Sequence, residues 1–316
     1  VDLLPAGATL VVMNNAAPEE IAAGYDSLCA AGGAAVGERE VIAVSGADAA
    51  TYLQGQISQD LLSIAEGSAW AFVLAPSGRV DSWVRIHRRG ETDFFIEVEA
   101  GWGEATLARL KRFLMRTKAE IGDPQRWALV ERRWSQEASS SVAPPEGAIS
   151  APAVGSGVTG IDLLLQMGAG AAARYAVPGL VPGESLERHR IVHAVPRMGA
   201  EITNDTIPGE LGQWVIDASV SFTKGCYTGQ ELVARIDSRG NNVPHPIRLL
   251  RLGADGSVGD TVTIDGAVVG SLTSVTPALG DRYPAMALAR VGRAVVVGNV
   301  VTVGEQSATV MEPGSV

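Results

Sequence analysis

The chain reads as an α+β protein that ends in a small antiparallel β-barrel. Three observations predict this. The 316 residues are 46% apolar, enough to build real cores in two or three ordinary domains. Residues 69–118 spell a β-hairpin, a third strand and an amphipathic helix. After Pro244-His245-Pro246 the pattern changes to short β-branched runs separated by Gly and Asp, the spacing of a barrel of about 70 residues.

Each element has a local warrant. Val41 to Val44 is a β-branched apolar run, and Ser45-Gly46-Ala47-Asp48 supplies the turn and helix-start chemistry for a helix from about Ala47 to Gln54. Ala69 to Leu74 reads as a strand and Pro76-Ser77-Gly78 as a turn. Val80 to His87 returns with Val80, Ser82, Val84 and Ile86 on one face. The polar run Arg88 to Asp93 turns the chain into a third strand, Phe94 to Val98. Leu107, Leu110, Phe113 and Leu114 at helical spacing predict a helix over Glu104 to Lys118. Ser135 to Gly160 is rich in Ser, Ala, Pro and Gly and reads as a loop. A short helix is expected from Gln230 to Ile236. The barrel strands are expected at residues 247–252, 261–264, 267–272, 286–291, 294–297 and 300–303. There is no internal repeat.

Composition excludes several function classes. No apolar run approaches the length of about 18 residues that a membrane helix needs, and Val1 to Pro5 lacks the charged and apolar regions of a secretory signal. Cys29 and Cys226, the two cysteines, do not make a disulfide scaffold, and a cytoplasmic location is expected. The net charge of −10 argues against direct DNA binding, which needs Lys/Arg to neutralise phosphates. Two cationic clusters stand out nonetheless: Arg109, Lys111, Arg112, Arg116 and Lys118, and Arg79, Arg85, Arg88 and Arg89. They read either as a solvated helix face and hairpin end or as surfaces for polyglutamate, phosphate or an acidic partner. No cluster has metal-ligand spacing. The small-residue run Gly168-Ala169-Gly170 lacks the Lys-Ser/Thr ending of a phosphate loop.

The most informative stretch is Lys224-Gly225-Cys226-Tyr227-Thr228-Gly229-Gln230-Glu231. Gly225 and Gly229 bracket the thiol where the backbone can take positive φ or approach another group closely. Lys224 stands where an ammonium favours a thiolate. Tyr227 offers a ring and a hydroxyl; Gln230 and Glu231 offer an amide and a carboxylate. The competing interpretation is a buried structural cysteine in a glycine-bounded turn entering a helix.

This octet resembles the signature of the YgfZ-type folate-binding proteins, relatives of the glycine-cleavage T-protein (GcvT) aminomethyltransferases. Four further blocks resemble the same family in order: residues 44–49 with 52–60, residues 74–80, residues 112–118, and residues 190–199 followed by Thr206-Ile207-Pro208. The resemblance implies a three-domain cloverleaf around a central cavity. Its domains would be residues 1–40 with 126–245, an insertion at 41–125, and the barrel at 246–316. It implies tetrahydrofolate or a folate derivative as cofactor, with Gln54, Arg79, Trp214, Tyr227, Gln230 and Glu231 as candidate contacts. It also implies a role in making or repairing iron–sulfur enzymes, including those that modify tRNA, with iron–sulfur assembly proteins or client enzymes as partners.

The transferase pattern is broken in two places. Asp81 is the candidate for the carboxylate that serves the reacting amine, yet it lies one residue before the expected position, and on a strand that offset reverses the face. The pterin-reading glutamate is replaced by Val192, and Arg39 and Leu186 stand where the family tends to carry tryptophan. Three functions are therefore weighed. One is an accessory protein for iron–sulfur clusters centred on Cys226 and Lys224. Another is a one-carbon transferase using Asp81. The third is an interaction protein that has lost its ligand. A single thiol cannot supply the Cys₄ set of an ordinary cluster, so a partner or second copy would complete it.

Overall fold

The computed structural model describes residues 15–64, 67–138, 144–167, 177–240 and 242–315. The Gly168-Ala169-Gly170 run and the Val1–Pro5 start lie outside the described residues. In chain order the elements are α1 (Pro18–Cys29), β1 (Gly33–Ser45), α2 (Ala49–Gln56), β2 (Gly67–Leu74), β3 (Val80–Arg88), β4 (Asp93–Glu99), α3 (Gly103–Lys111), β5 (Glu120–Ile121), β6 (Gln125–Arg133), β7 (Ile149–Pro152) and β8 (Gly160–Gln166). There follow α4 (Gly183–Val192), α5 (Gln213–Ser219), α6 (Gln230–Asp237), β9 (Ile247–Leu252), β10 (Thr261–Ile264), β11 (Ala267–Thr276), β12 (Met286–Val291), β13 (Val300–Val303) and β14 (Gln306–Met311). The fold class is α+β.

The chain divides into two compact units. The first comprises Val1–Gly37, Trp127–Pro196 and His245–Val316. It contains the closed antiparallel barrel, in the order β10-β11-β12-β9-β14-β13. Alternation along β12 shows how the barrel is built: Ala287, Ala289 and Val291 join the core lined by Leu250, Val262, Val301 and Ala308. The intervening Met286 and Leu288 pack on Ile191 and Val192 of α4. Small residues fill the inner positions because a six-stranded barrel is narrow. In the same unit β8 lies between β6 and β7, antiparallel to both.

The barrel and its position match expectation, with two changes of strand. Residues 294–297 form turns, because the Val295 and Asn299 amides close onto the Gly292 and Val296 carbonyls. The sixth strand is instead β14, which pairs with β13 and β9. The Ser135–Gly160 stretch, expected as loop, contains β7.

The second unit comprises Glu38–Arg126 and Arg197–Pro244. Its strands run in the order β2-β3-β4-β1, all antiparallel, with β5 added to β1. One face carries Ala71, Val73, Val84, Ile86, Phe94, Ile96, Ile42 and Val44, and buries them against Leu53 of α2 and Leu107 and Leu110 of α3. Burying each such aliphatic side chain contributes roughly 1.5–3 kcal/mol.

The expected helix to Lys118 stops at Lys111. Asp48 explains the stop, since its amide donates to the Lys118 carbonyl at 3.1 Å and its carboxylate accepts from the Lys118 amide at 2.8 Å. The chain must leave helical geometry to reach that partner, so Leu114 is only partly buried and Phe113 is turned outward.

Candidate functional site

All nine candidate site residues lie in the second unit, where blocks 54–60 and 74–80 pack against the loop that carries Cys226. The loop joins α5 to α6. Lys224 anchors it: Nζ donates to the carbonyls of Gln54 (2.7 Å), Ile57 (2.7 Å) and Gln59 (2.9 Å). A helix leaves its last carbonyls unsatisfied and its C-terminus partly negative, so an ammonium with three donors suits the end of α2. Burial pulls the Lys224 pKa down to about 8, against the opposing pull of Asp60. The same ammonium lies 5.1 Å from the centroid of the Tyr227 ring.

Tyr227, Thr228, Gly229 and Gln230 are also held. The Thr228 amide donates to the Gly55 carbonyl at 3.1 Å, and the Tyr227 amide donates to Oε1 of Gln230 at 3.0 Å. Gln230 thus closes the turn that leads into its own helix. The Tyr227 hydroxyl is raised to about 12 by burial. Gly229 has φ 83°, and a β-carbon there would stand 2.5 Å from the Ala75 carbonyl oxygen. Gly78, with φ 83°, abuts Leu232 of α6. The turn at residues 75–79 therefore seats directly on the octet. Gly225 differs: it has open space around it and no positive φ, so only one of the two bracketing glycines is required by the backbone.

The remaining candidates fill in the surround. Gln54 holds the loop after α2, donating from Nε2 to Asp60 (2.8 Å) and accepting from the Leu61 amide (2.8 Å). Arg79 pairs with Asp205, and the neighbouring Val80 amide donates to the Thr206 carbonyl at 2.9 Å. Glu231 is exposed in the first turn of α6. Cys226 is an exposed free thiol. Among the described residues no group of three or more His, Cys, Asp and Glu side chains could hold a metal ion.

Asp81 accepts from Nε of Arg109 at 3.1 Å. The Arg109 guanidinium, buried to 5% exposure, also donates to the Leu74 carbonyl and to Oε1 of Gln56. Burial raises the Asp81 carboxyl, while Arg109 lowers it. Ser82, at the position where the transferase pattern expects the aspartate, is fully buried and shares a 2.6 Å hydrogen bond with Thr106 of α3.

The second face of the sheet was not foreseen. It carries a buried ionic network in which Glu97 accepts from Nε (2.7 Å) and Nη2 (2.9 Å) of Arg85. Its carboxylate also bonds His87 at 2.8 Å and pairs with Arg39 at 3.3 Å. Glu97 is held well below the usual carboxylate range by Arg85, the His87 hydrogen bond and Arg39, which together outweigh burial. Beside the network Trp70 stacks on Trp83 at 4.2 Å, and Trp214 meets Trp83 edge-on at 6.3 Å. Trp83 Nε1 donates to Ser219 at 2.9 Å. Trp70 Nε1 is buried and lacks a hydrogen-bond partner among the described residues. The polar letters inside Trp83-Val84-Arg85-Ile86-His87 and Phe94-Phe95-Ile96-Glu97-Val98 were the available signal: alternate charged residues within apolar strands mark a buried polar face.

The second expected cationic cluster is dispersed by these contacts. Arg79 is paired with Asp205, Arg85 with Glu97, and Arg88 donates to the Ile64 and Gly90 carbonyls. Val192 lies in the first unit, 1% exposed within the apolar cluster of Tyr25, Ile191 and Leu288. Its side chain can make no hydrogen bond, and its carbonyl already accepts from the Gly314 amide at 2.8 Å.

Comparison with known proteins fits this arrangement. The glycine cleavage system aminomethyltransferase T from Bartonella henselae superposes with a TM-score of 0.73 over 92% of this chain and 88% of that one, at 15% identity. That likeness establishes the fold. By sequence, the tRNA-modifying protein YgfZ of Vibrio atlanticus is 28% identical over 223 residues, covering 66% of each chain. The chain is YgfZ-like on a GcvT-type fold. The mitochondrial iron–sulfur cluster assembly factor IBA57 homolog of Pyricularia oryzae is 29% identical over 230 residues, or 66% of this YgfZ-like chain and 55% of the fungal protein. The chain thus spans about half to two thirds of the length of these two relatives. No protein-family model matches it. Among the described residues no helix is long and apolar enough to cross a membrane.

Proposed function

We propose that this chain is an accessory protein in iron–sulfur-cluster-dependent processes, including tRNA modification, and that it works through the exposed Cys226 thiol. One observation carries the reading: the separated blocks 54–60 and 74–80 together hold the loop that displays that thiol. Lys224 and Thr228 bind the loop to the C-terminal end of α2 and Gly229 seats it on the 75–79 turn, whereas Cys226 itself is left exposed. The names of the YgfZ and IBA57 relatives supply the class of process. The cluster would be cargo, with its remaining ligands drawn from a partner, because this site offers one sulfur.

Tetrahydrofolate enters this reading as a ligand. The residues do not fit one-carbon transfer: Val192 is sealed in an apolar cluster and Asp81 is bound to Arg109, so no transfer step is derived. The aromatic face does suit a planar ring with an acceptor, since the buried Trp70 N–H has no partner among the described residues and the guanidinium of Arg85 lies 5.2 Å from that ring. Stacking and one directed hydrogen bond are the usual means of holding such a ring.

Two experiments test the proposal. Cells whose only copy carries Cys226→Ser should lose activity of cluster-dependent tRNA-modifying enzymes at unchanged protein level; full activity would remove the thiol from the function. Calorimetric titration with tetrahydrofolate under anaerobic, reducing conditions should show saturable binding that Trp70→Phe weakens. Absence of binding at millimolar ligand would leave a folate-independent protein.

A further inference from the structure

The turn that ends α3 is an exposed apolar and cationic surface with no occupant among the described residues. Met115 is 80% exposed and Phe113 39%. Arg112, Arg116 and Lys118 around them are exposed, and among the described residues none has an acidic side chain within ion-pairing distance; Lys111 alone is paired, to Asp123 at 3.7 Å. The turn is held firmly. Lys118 is fixed from both sides by Asp48, and its carbonyl lies against Gly46, where a side chain would collide. Arg116 has φ 60°, a conformation that is costly for a residue with a β-carbon and persists only where the surroundings impose it.

We propose that this turn is a docking site for an acidic polypeptide segment of a partner protein, one that carries a bulky apolar side chain among Asp and Glu residues. Charge complementarity selects the occupant: unpaired cations stand out on a protein of net charge −10, and opposite potentials steer such partners together. Met115 supplies an unbranched, polarizable side chain that adapts to an apolar anchor. The local extent of the patch favours a short peptide over RNA. A phosphate backbone rewards a long track of cations, whereas Arg79, Arg85 and Arg88 in the same unit are already committed.

The site connects to Cys226 through the C-terminal end of α2. Phe113 stacks on Arg109 at 4.7 Å, Arg109 donates to Gln56, and the carbonyls of Gln54 and Ile57 hold Lys224. Delivery of a partner to the thiol rests on the function proposed above; docking itself does not.

The test is fluorescence anisotropy with a labelled peptide, Glu-Asp-Glu-Leu-Phe-Glu-Asp-Glu, and the full chain at low salt. Saturable binding is expected that weakens as salt rises. It should fall about tenfold or more in the R112E/R116E double variant and by a smaller factor in Met115→Ser, and stay unchanged in Cys226→Ser. A matching peptide with Lys for every acidic residue should bind R112E/R116E in preference to the wild type. No binding, equal binding by R112E/R116E, or tighter binding of single-stranded RNA that is indifferent to Met115 would each overturn the proposal. If the wild type binds the peptide while Cys226→Ser keeps full cluster-dependent activity in cells, the docking site stands and only its link to Cys226 is removed.

Discussion

Lys224 lies 167 residues from Ile57 in sequence, yet its ammonium donates to the Ile57 carbonyl at 2.7 Å and uses its other donors on Gln54 and Gln59. The expectation from sequence gave this lysine to the thiol two residues away. The structure commits its donors to the end of α2, and its influence on Cys226 is that of an anchor.

Lys224→Met should therefore lower stability by about 2–4 kcal/mol, since it strips a charge-assisted donor from three carbonyls at once. Urea unfolding measures this. A variant as stable as the wild type would show that water replaces the ammonium at no cost.

Gly229→Ala should be strongly destabilising and Gly225→Ala close to neutral. The first adds a β-carbon at φ 83° against the Ala75 carbonyl; the second meets nothing within 4 Å. The left-handed conformation alone costs about 1–2 kcal/mol, and the collision adds to it. Equal melting temperatures for the two variants would contradict the seating of the 75–79 turn on the octet.

Cys226→Ser should change stability by less than about 0.5 kcal/mol, as is usual for exposed positions. Any loss of activity in that variant then reports chemistry rather than folding. A large drop in melting temperature would return Cys226 to a structural role.

Asp81→Asn should destabilise by about 1–2 kcal/mol, because it removes the carboxylate facing the buried Arg109. The pair is discounted from the usual penalty for breaking a buried ion pair since Asp81 is 33% exposed. If Asp81→Asn leaves melting unchanged but abolishes an activity, the carboxylate belongs to a reaction after all.

Stability should fall as pH drops below about 6.5. Burial lowers His87, His189 and His193 below the ordinary histidine value, His189 to about 2. The unfolded chain therefore binds protons that the folded chain refuses, and the slope favours unfolding as acid is added. Glu97, depressed by Arg85 and His87, acts in the same direction at lower pH, where the unfolded carboxylate is protonated first. His189 and His193, whose rings lie 4.4 Å apart, make the first unit sensitive as well. Urea midpoints measured from pH 7.5 to 5 should decline steadily; a flat profile would mean that these imidazoles charge freely in the folded state.

What the sequence determined by itself was whatever is encoded over a few residues. Alternation with Gly and Asp turns marked β9, β10, β12 and β13, and the hairpin β2–β3 followed from an apolar run, Pro76-Ser77-Gly78 and a second run. The nine candidate positions were also named from the sequence, and all lie in one unit. The tertiary structure decided what each of them touches. It ended α3 at Lys111, because Asp48 holds Lys118; it turned Arg85 inward to Glu97; it left Phe113 exposed where helical spacing placed a core. It also tied Lys224 to carbonyls far along the chain. Periodicity reports which face of an element is apolar, but a hydrogen bond between distant residues depends on how elements pack. No local pattern of residues carries that information.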